Sequence, residues 1–467
     1  MVHKPIFSLS TPAVIRMILI LFFLFFTFQR SFGQENLNHF AITNVTLIDG
    51  TGKAPLENAT VIIKNGKIEC VGKCALAEGL TLIDGKGKFL IPGLIDSHVH
   101  YSASGWFDTF PVTGFPDVSD NYPFEEAIKD LQHYPEHFHR SNLCSGVTAV
   151  FDTGGFPWVF DVREKANKSN IAPHYFTTGP ILSFEKVIFN HAAGDGFSFF
   201  IEDQSELEEG MELLIKNDAD GVNIHNIHRA ENEQLLNSRL EYIISRSKEK
   251  GIIPMAFSRG LASSKAAIRA GVRIFIYSIE EELVDEEFLA LAIENEVIYV
   301  PTLGVAQAVA DALNKYFSEE RISLTCIDTA TKKKVLLTNT LSAKSAKGEK
   351  SNITPDENAA DIRIKNLQKI HAAGIKIATG SSAGIPLLLH GPATHNEMVL
   401  LKEAGLTAME VLIASTKNGA AVLGRDDLGA VEKGNVADLV LLNQNPLEDI
   451  SNVKNIFMVI RGGYIHR

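Results

Sequence analysis

The chain has 467 residues, 45% hydrophobic and 21% charged, the composition of a globular protein with a large buried core rather than a disordered or fibrous one. Its formal charge of -12 excludes a surface built for nucleic acid or an acidic membrane, since those partners need clustered lysine and arginine. A small molecule is the partner this balance favours, and the oligomeric state stays open between a monomer and a homo-oligomer.

In chain order, Lys4 and Arg16 precede an apolar run over 17–28, which Gln29-Arg-Ser-Phe-Gly33 follows. About a dozen apolar residues are too few for a membrane span and suit the core of a secretory signal, with small residues at Ser31 and Gly33 for cleavage before Gln34. The sequence predicts a signal peptide over 1–33, export to the periplasm or beyond, and no stable membrane insertion after cleavage. An uncleaved anchor is the alternative. No cysteine directly follows the run, as a bacterial lipid anchor would require. Cys70, Cys74, Cys144 and Cys326 all lie in the exported part. Cys70 and Cys74 are near enough in sequence to bridge, three connectivities are open, and buried free thiols are an equal alternative.

From 34 to 89 short alternating apolar runs are broken by turn residues, and Asn65-Gly66 between two of them predicts a tight hairpin. The same style returns over 426–467, in Gly434-Asn-Val-Ala-Asp-Leu-Val-Leu-Leu442 and Ile456-Phe-Met-Val-Ile-Arg-Gly-Gly463. The two segments are expected to form one small β-sandwich domain, which would bring the chain's ends together.

Between them, over 90–425, apolar strands alternate with helical stretches such as 232–250 and 357–373. The strands expected after the run that ends at His100 are 147–152, 174–178, 221–225, 252–257, 272–277, 297–302 and 375–380. With that first strand they number eight, which predicts an α/β fold of the (β/α)8 TIM-barrel type, with its chemistry at the C-terminal strand ends. The stretch 304–356 exceeds what a crossover needs and reads as a helical insertion over the mouth, with Lys332-Lys-Lys334 on a solvated face.

The first strand carries the sharpest signal. In Phe89-Leu-Ile-Pro-Gly-Leu-Ile-Asp-Ser-His-Val-His100 the two histidines are two residues apart, so an extended chain turns both imidazoles to one side, where a zinc-like ion takes them. This stretch resembles the entry to the first barrel strand of the amidohydrolase superfamily. Further stretches, Gly391-Pro-Ala-Thr-His-Asn-Glu397, Ala414-Ser-Thr-Lys-Asn-Gly-Ala420 and Gly429-Ala-Val-Glu-Lys-Gly-Asn-Val-Ala-Asp-Leu-Val440, are similar to the superfamily's imidazolonepropionase-related branch. That branch includes exported enzymes similar to dipeptidases that cleave bonds to proline.

The resemblance implies one or two divalent metals held by the first-strand histidines, often a carbamylated lysine on strand four, histidines on strands five and six, and an aspartate on strand eight that also acts as base. Here those later positions are Asn223, Phe257, Tyr277 and Ser382. Phenylalanine cannot ligate, asparagine cannot be carbamylated and serine is too weak a base to replace aspartate. No histidine occurs between His228 and His371, so shifting the alignment does not restore the strand-five and strand-six ligands.

His225, two residues beyond Asn223, is the one substitute, which would give a site of His98, His100 and His225. His191 belongs to a loop expected over the mouth, lining the pocket or lying at the surface. His228 is expected in a loop, His390 and His395 in packing or capping, and Asp152 in a turn cap. Two functions follow: a hydrolase of carbon-nitrogen bonds using one divalent metal such as zinc, or a metal-free pseudoenzyme whose mouth, lined by Asn223, Phe257, Tyr277 and Ser382, binds a small ligand or partner.

Overall fold

The computed structural model describes residues 39–110, 115–186, 196–341 and 357–466. The expected signal segment and His191 lie outside the described residues. Among the described residues no helix is long and apolar enough to cross a membrane.

The first strands are β1 (His39–Leu47), β2 (Leu56–Lys64), β3 (Lys67–Gly72), β4 (Thr81–Asp84) and β5 (Phe89–Pro92). Next come β6 (Leu94–Val99), β7 (Val147–Asp152), β8 (His174–Thr177), β9 (Ile181–Ser183), β10 (Ser198–Phe200) and β11 (Gly221–His225). β12 (Ile253–Ala256), β13 (Ile274–Phe275), β14 (Ile298–Tyr299) and β15 (Lys376–Ile377) follow, and the chain finishes with β16 (Leu439–Leu442), β17 (Ile456–Arg461) and β18 (Tyr464–His466).

The two terminal segments join in one eight-stranded sheet, ordered β18-β17-β16-β5-β1-β2-β3 with β4 beside β1. The seam between the early and late parts is the antiparallel pair β5–β16. Asn65 and Gly66 form the expected hairpin between β2 and β3, both at positive φ as a primed turn requires. Strand alternation divides the side chains between two cores. Leu439 and Leu441 join Phe40, Ile42, Val61 and Ile63 in a small core of the sheet's own. Val440 and Leu442 turn the other way, into the main core with Ile91.

The central part holds two parallel sheets, β6-β7-β8 and β10-β9-β11-β12-β13-β14-β15. Backbone hydrogen bonds join them at both seams. Asp220 N donates to Thr177 O across one (3.0 Å), and Ser97 N donates to Thr379 O (2.9 Å) and Ser382 N to His98 O (2.7 Å) across the other. The apolar runs at 272–277, 297–302 and 375–380 pair as ladders over only two residues each, because past the ladder each chain turns into the loop that carries its pocket side chain. β9 and β10 were not expected from the sequence.

All four cysteines are paired, Cys70 with Cys74 and Cys144 with Cys326, which removes the free-thiol alternative. The second bridge ties the end of helix Glu136–Cys144 to the chain just before helix Thr329–Leu337. That helix also grips the loop after β6: Lys334 pairs with buried Asp108 at 2.6 Å, so it is not simply on a solvated face, and Trp106 Nε1 donates to Thr338 Oγ1 at 3.1 Å.

Candidate functional site

His98 lies at the end of β6 and His100 directly follows that strand, both held there by the chain that follows β15. A side chain on Gly380 would place its Cβ 2.7 Å from that of His98, and Gly384, at φ +110, approaches His100 O closely. Only glycine allows these approaches. Asp96 fastens the same seam from within the core. Its carboxylate accepts from His98 N (3.2 Å), Ser381 N (2.9 Å), Ser381 Oγ (2.5 Å) and Thr394 Oγ1 (2.6 Å). Burial nevertheless raises its pKa, and the four donors oppose that shift.

The Nε2 atoms of His98 and His100 approach to 3.1 Å with the rings nearly perpendicular. Which ring donates in this contact is set by the tautomer each adopts. Burial pushes His100 down to about 4 and His98 well below its ordinary value, so both are neutral at pH 7. On β11, Asn223 and His225 face the same way. Asn223 Nδ2 donates to Thr153 O at 2.5 Å, while Oδ1 is buried without a partner among the described residues. His225 Nδ1 is likewise unpartnered, and burial lowers His225 to about 3.

Three rings from successive strand ends form one column. His225 stacks on Phe257 and Phe257 on Tyr277, each pair with centroids 4.3 Å apart and planes 28° from parallel. Burial pushes the Tyr277 phenol up to about 12, so it stays protonated. Beside it, Arg259 and Arg363 both engage buried Glu280.

His98, His100, Asn223, His225, Phe257, Tyr277 and Ser382 all line one cavity of about 280 Å³. The structure therefore brings together every described residue that the sequence assigned to the site. Ser382 sits in the left-handed backbone region at φ 55, where its N–H reaches His98 O. The remaining wall was not foreseen: Phe110, Phe124, Phe156, Phe197, Val305 and Ile385 make the cavity largely apolar. Phe156 had a visible cue, since it directly follows Thr153-Gly-Gly155 at the end of a predicted strand; the others depend on loop courses that local pattern does not give.

The other singled-out residues have structural partners. His390 packs on Phe138 with centroids 3.9 Å apart, and His395 Nε2 bonds Ser145 O at 2.8 Å. His228 faces Glu281 at 3.9 Å and does not line the cavity. Asp152 caps its turn as expected, accepting from Gly154 N, but also accepts from Tyr101 N and the Tyr175 hydroxyl, and burial pushes it up to about 7.

The donor set does not fit a catalytic zinc, which takes three protein ligands and keeps a position open. The two first-strand imidazoles converge, yet the positions facing them hold an amide, a phenyl ring, a phenol and a hydroxyl. Among the described residues no three His, Cys, Asp or Glu side chains are grouped to hold a metal ion, with or without His225.

Comparison with known proteins places this architecture. Residues 89–465 match the model of the Amidohydrolase family. Ochratoxinase from Aspergillus niger is 23% identical over 90% of this chain and 85% of its own length. N-acetylglucosamine-6-phosphate deacetylase from Lysinibacillus sphaericus is 40% identical, but over only 62 residues, 13% of this chain and 16% of that protein. Among solved structures, a Xaa-Pro dipeptidase with bound methionine superposes with a TM-score of 0.67 at 22% identity, covering 92% of this chain and all of that one. A likeness at that identity carries the fold alone. With the family model spanning most of its length, the chain belongs to the amidohydrolase family.

Proposed function

We propose that this is an exported (β/α)8-barrel protein, capped by a β-sandwich of its two terminal segments, that binds a small molecule at the barrel mouth without metal-dependent hydrolysis. The hydrogen bonds at both seams of the parallel sheets support the barrel, and the small core enclosed by the eight-stranded sheet supports the sandwich. The observation that carries the functional reading is the column His225–Phe257–Tyr277. It puts packed ring carbon at two positions where the family resemblance implies imidazole ligands. Ser382 at the base position has a hydroxyl that stays protonated at neutral pH and cannot accept a proton as a carboxylate does.

A second reading, a hydrolase of carbon-nitrogen bonds, is favoured by the two converging Nε2 atoms, which are about as far apart as two ligands of one tetrahedral ion. The ochratoxinase and dipeptidase names among its relatives point the same way. Turnover separates the two readings. The binding reading expects no release of amine from N-acyl amino acids, dipeptides ending in proline or anilides, with or without added zinc. Zinc-stimulated release that is lost in His98→Ala overturns it.

A further inference from the structure

The stretch over 317–341 has little apolar anchorage of its own. Its buried apolar side chains are Phe317, Ile322, Leu324, Ile327 and Val335, while Leu336 and Leu337 are exposed, and no residue of it belongs to a strand. So few buried side chains offset only part of the entropy lost in ordering the stretch. Its covalent tie is the bridge from Cys326 to Cys144, at the end of helix Glu136–Cys144, which packs on β7.

Beyond Cys326 the same stretch holds one wall of the cavity. Lys334 pairs with Asp108 Oδ2 at 2.6 Å, and Thr338 Oγ1 accepts from Trp106 Nε1 at 3.1 Å. Lys334 also lies over the Tyr122 ring, which packs edge-on against Trp106. The Asp108 side chain is fully buried, and Lys334 is its one cationic partner among the described residues. The other carboxylate oxygen accepts from Ser104 Oγ (2.5 Å), and Ser104 N donates to Thr109 Oγ1 (2.8 Å), so the ion pair secures the turn over 104–109. Thr109 and Phe110 line the cavity. Without Lys334 the buried carboxylate loses its counter-charge and must turn to water, which undoes that turn.

The bridge itself is open to attack. Cys144 is exposed and Cys326 partly so, which lets a reductant reach the bond in the folded chain.

We propose that Cys144–Cys326 is a redox latch on this cavity wall: its reduction by a dithiol lets the stretch over 328–341 leave the loop over 101–110 while the parallel sheets stay folded. One thiolate of the dithiol bonds to a sulfur of the bridge, the S–S bond breaks, and the departing cysteine sulfur takes up a proton. The second thiolate then attacks the mixed disulfide and releases the other cysteine as a thiol. The dithiol gives up two electrons and two protons and becomes a cyclic disulfide. Local opening of this kind draws on the least stable part of a fold. The latch goes beyond the binding reading and holds whether the cavity binds its ligand or hydrolyses it.

Trp106 reports on the latch directly. The chain has two tryptophans, so Trp158→Phe leaves buried Trp106 as the single probe. The full chain carrying Trp158→Phe is treated with dithiothreitol without denaturant, and its free thiols are located by alkylation and mass spectrometry. Trp106 emission, its quenching by iodide and hydrogen exchange are followed in the same samples. Once Cys144 and Cys326 are free, emission should shift to the red, the iodide quenching constant should rise several-fold, and exchange should quicken over 101–110 and 317–341 alone. Reoxidation should reverse all three. Opening only the other bridge, by Cys70→Ser with Cys74→Ser, should leave Trp106 shielded. A bridge that dithiothreitol does not reduce in the folded chain overturns the latch, as does a reduced bridge with Trp106 still shielded. Faster exchange spreading through the parallel sheets overturns it as well, since the bridge would then hold the whole fold rather than one wall, and so does exposure of Trp106 when only the Cys70–Cys74 bridge is open. The dithiothreitol measurements need no cysteine variant to fold.

Discussion

Phe257 lies face to face with Tyr277, ring centroids 4.3 Å apart and planes 28° from parallel, and His225 covers its other face at the same spacing. The column is built from adjacent strands, so its rings are stacked by the sheet itself. Phe257→Leu keeps an apolar but smaller side chain and removes two ring contacts, each of about 0.5–1.5 kcal/mol beyond area burial. A loss of about 1–3 kcal/mol in urea unfolding is expected. An unchanged midpoint would mean that the rings touch without contributing.

Asp96 gathers four donors at the seam beside His98. In Asp96→Leu the four donors, two backbone N–H groups and two hydroxyls, lose their acceptor inside the core. The expected loss is at least about 2 kcal/mol by denaturant titration, with altered backbone amide shifts at His98 and Ser381. A variant as stable as the parent, with unmoved shifts, contradicts the account of the seam.

The two disulfides close loops of very different length, with sequence separations of 4 for Cys70–Cys74 and 182 for Cys144–Cys326. Longer closed loops restrict the unfolded chain more, so Cys144→Ser should destabilise by about 2–5 kcal/mol and by more than Cys70→Ser. Thermal unfolding of both variants ranks them, and the reverse order counts against the entropic explanation.

Glu397 is a buried carboxyl that accepts from Leu303 N (2.7 Å) and Gly304 N (2.8 Å), yet burial pushes it up to about 8 from an ordinary 4.5. A carboxyl whose folded pKa lies above its unfolded one holds its proton more tightly in the folded chain. Its contribution is most favourable at or below pH 4.5 and is progressively lost as pH rises to about 8. Glu397→Gln carries no such proton, so its stability relative to the parent should rise across that window. Parallel stability curves for parent and variant would show that Glu397 ionises normally.

Much of the scaffold was legible in local pattern. The alternating runs, the Asn65-Gly66 turn and the short apolar strands follow from side-chain periodicity and turn chemistry, and His98 and His100 share a face because a strand repeats every two residues. Asn223, Phe257, Tyr277 and Ser382 could be placed from the family resemblance because each lies in or just after a strand of recognisable sequence. The pairing of Cys144 with Cys326, three of the four bonds of Asp96 and the apolar wall from Phe110 to Ile385 join residues far apart in the chain. No short-range pattern encodes such meetings, since they depend on where whole loops run.

Metal content tests the central claim most directly. The full chain would be equilibrated with excess zinc, freed of loose metal by gel filtration and analysed by mass spectrometry for zinc per chain, beside His98→Ala. With two converging imidazoles and, among the described residues, no third ligand grouped with them, the expected result is well below one equivalent, unchanged by the substitution. About one zinc per chain, abolished in His98→Ala, would contradict the account.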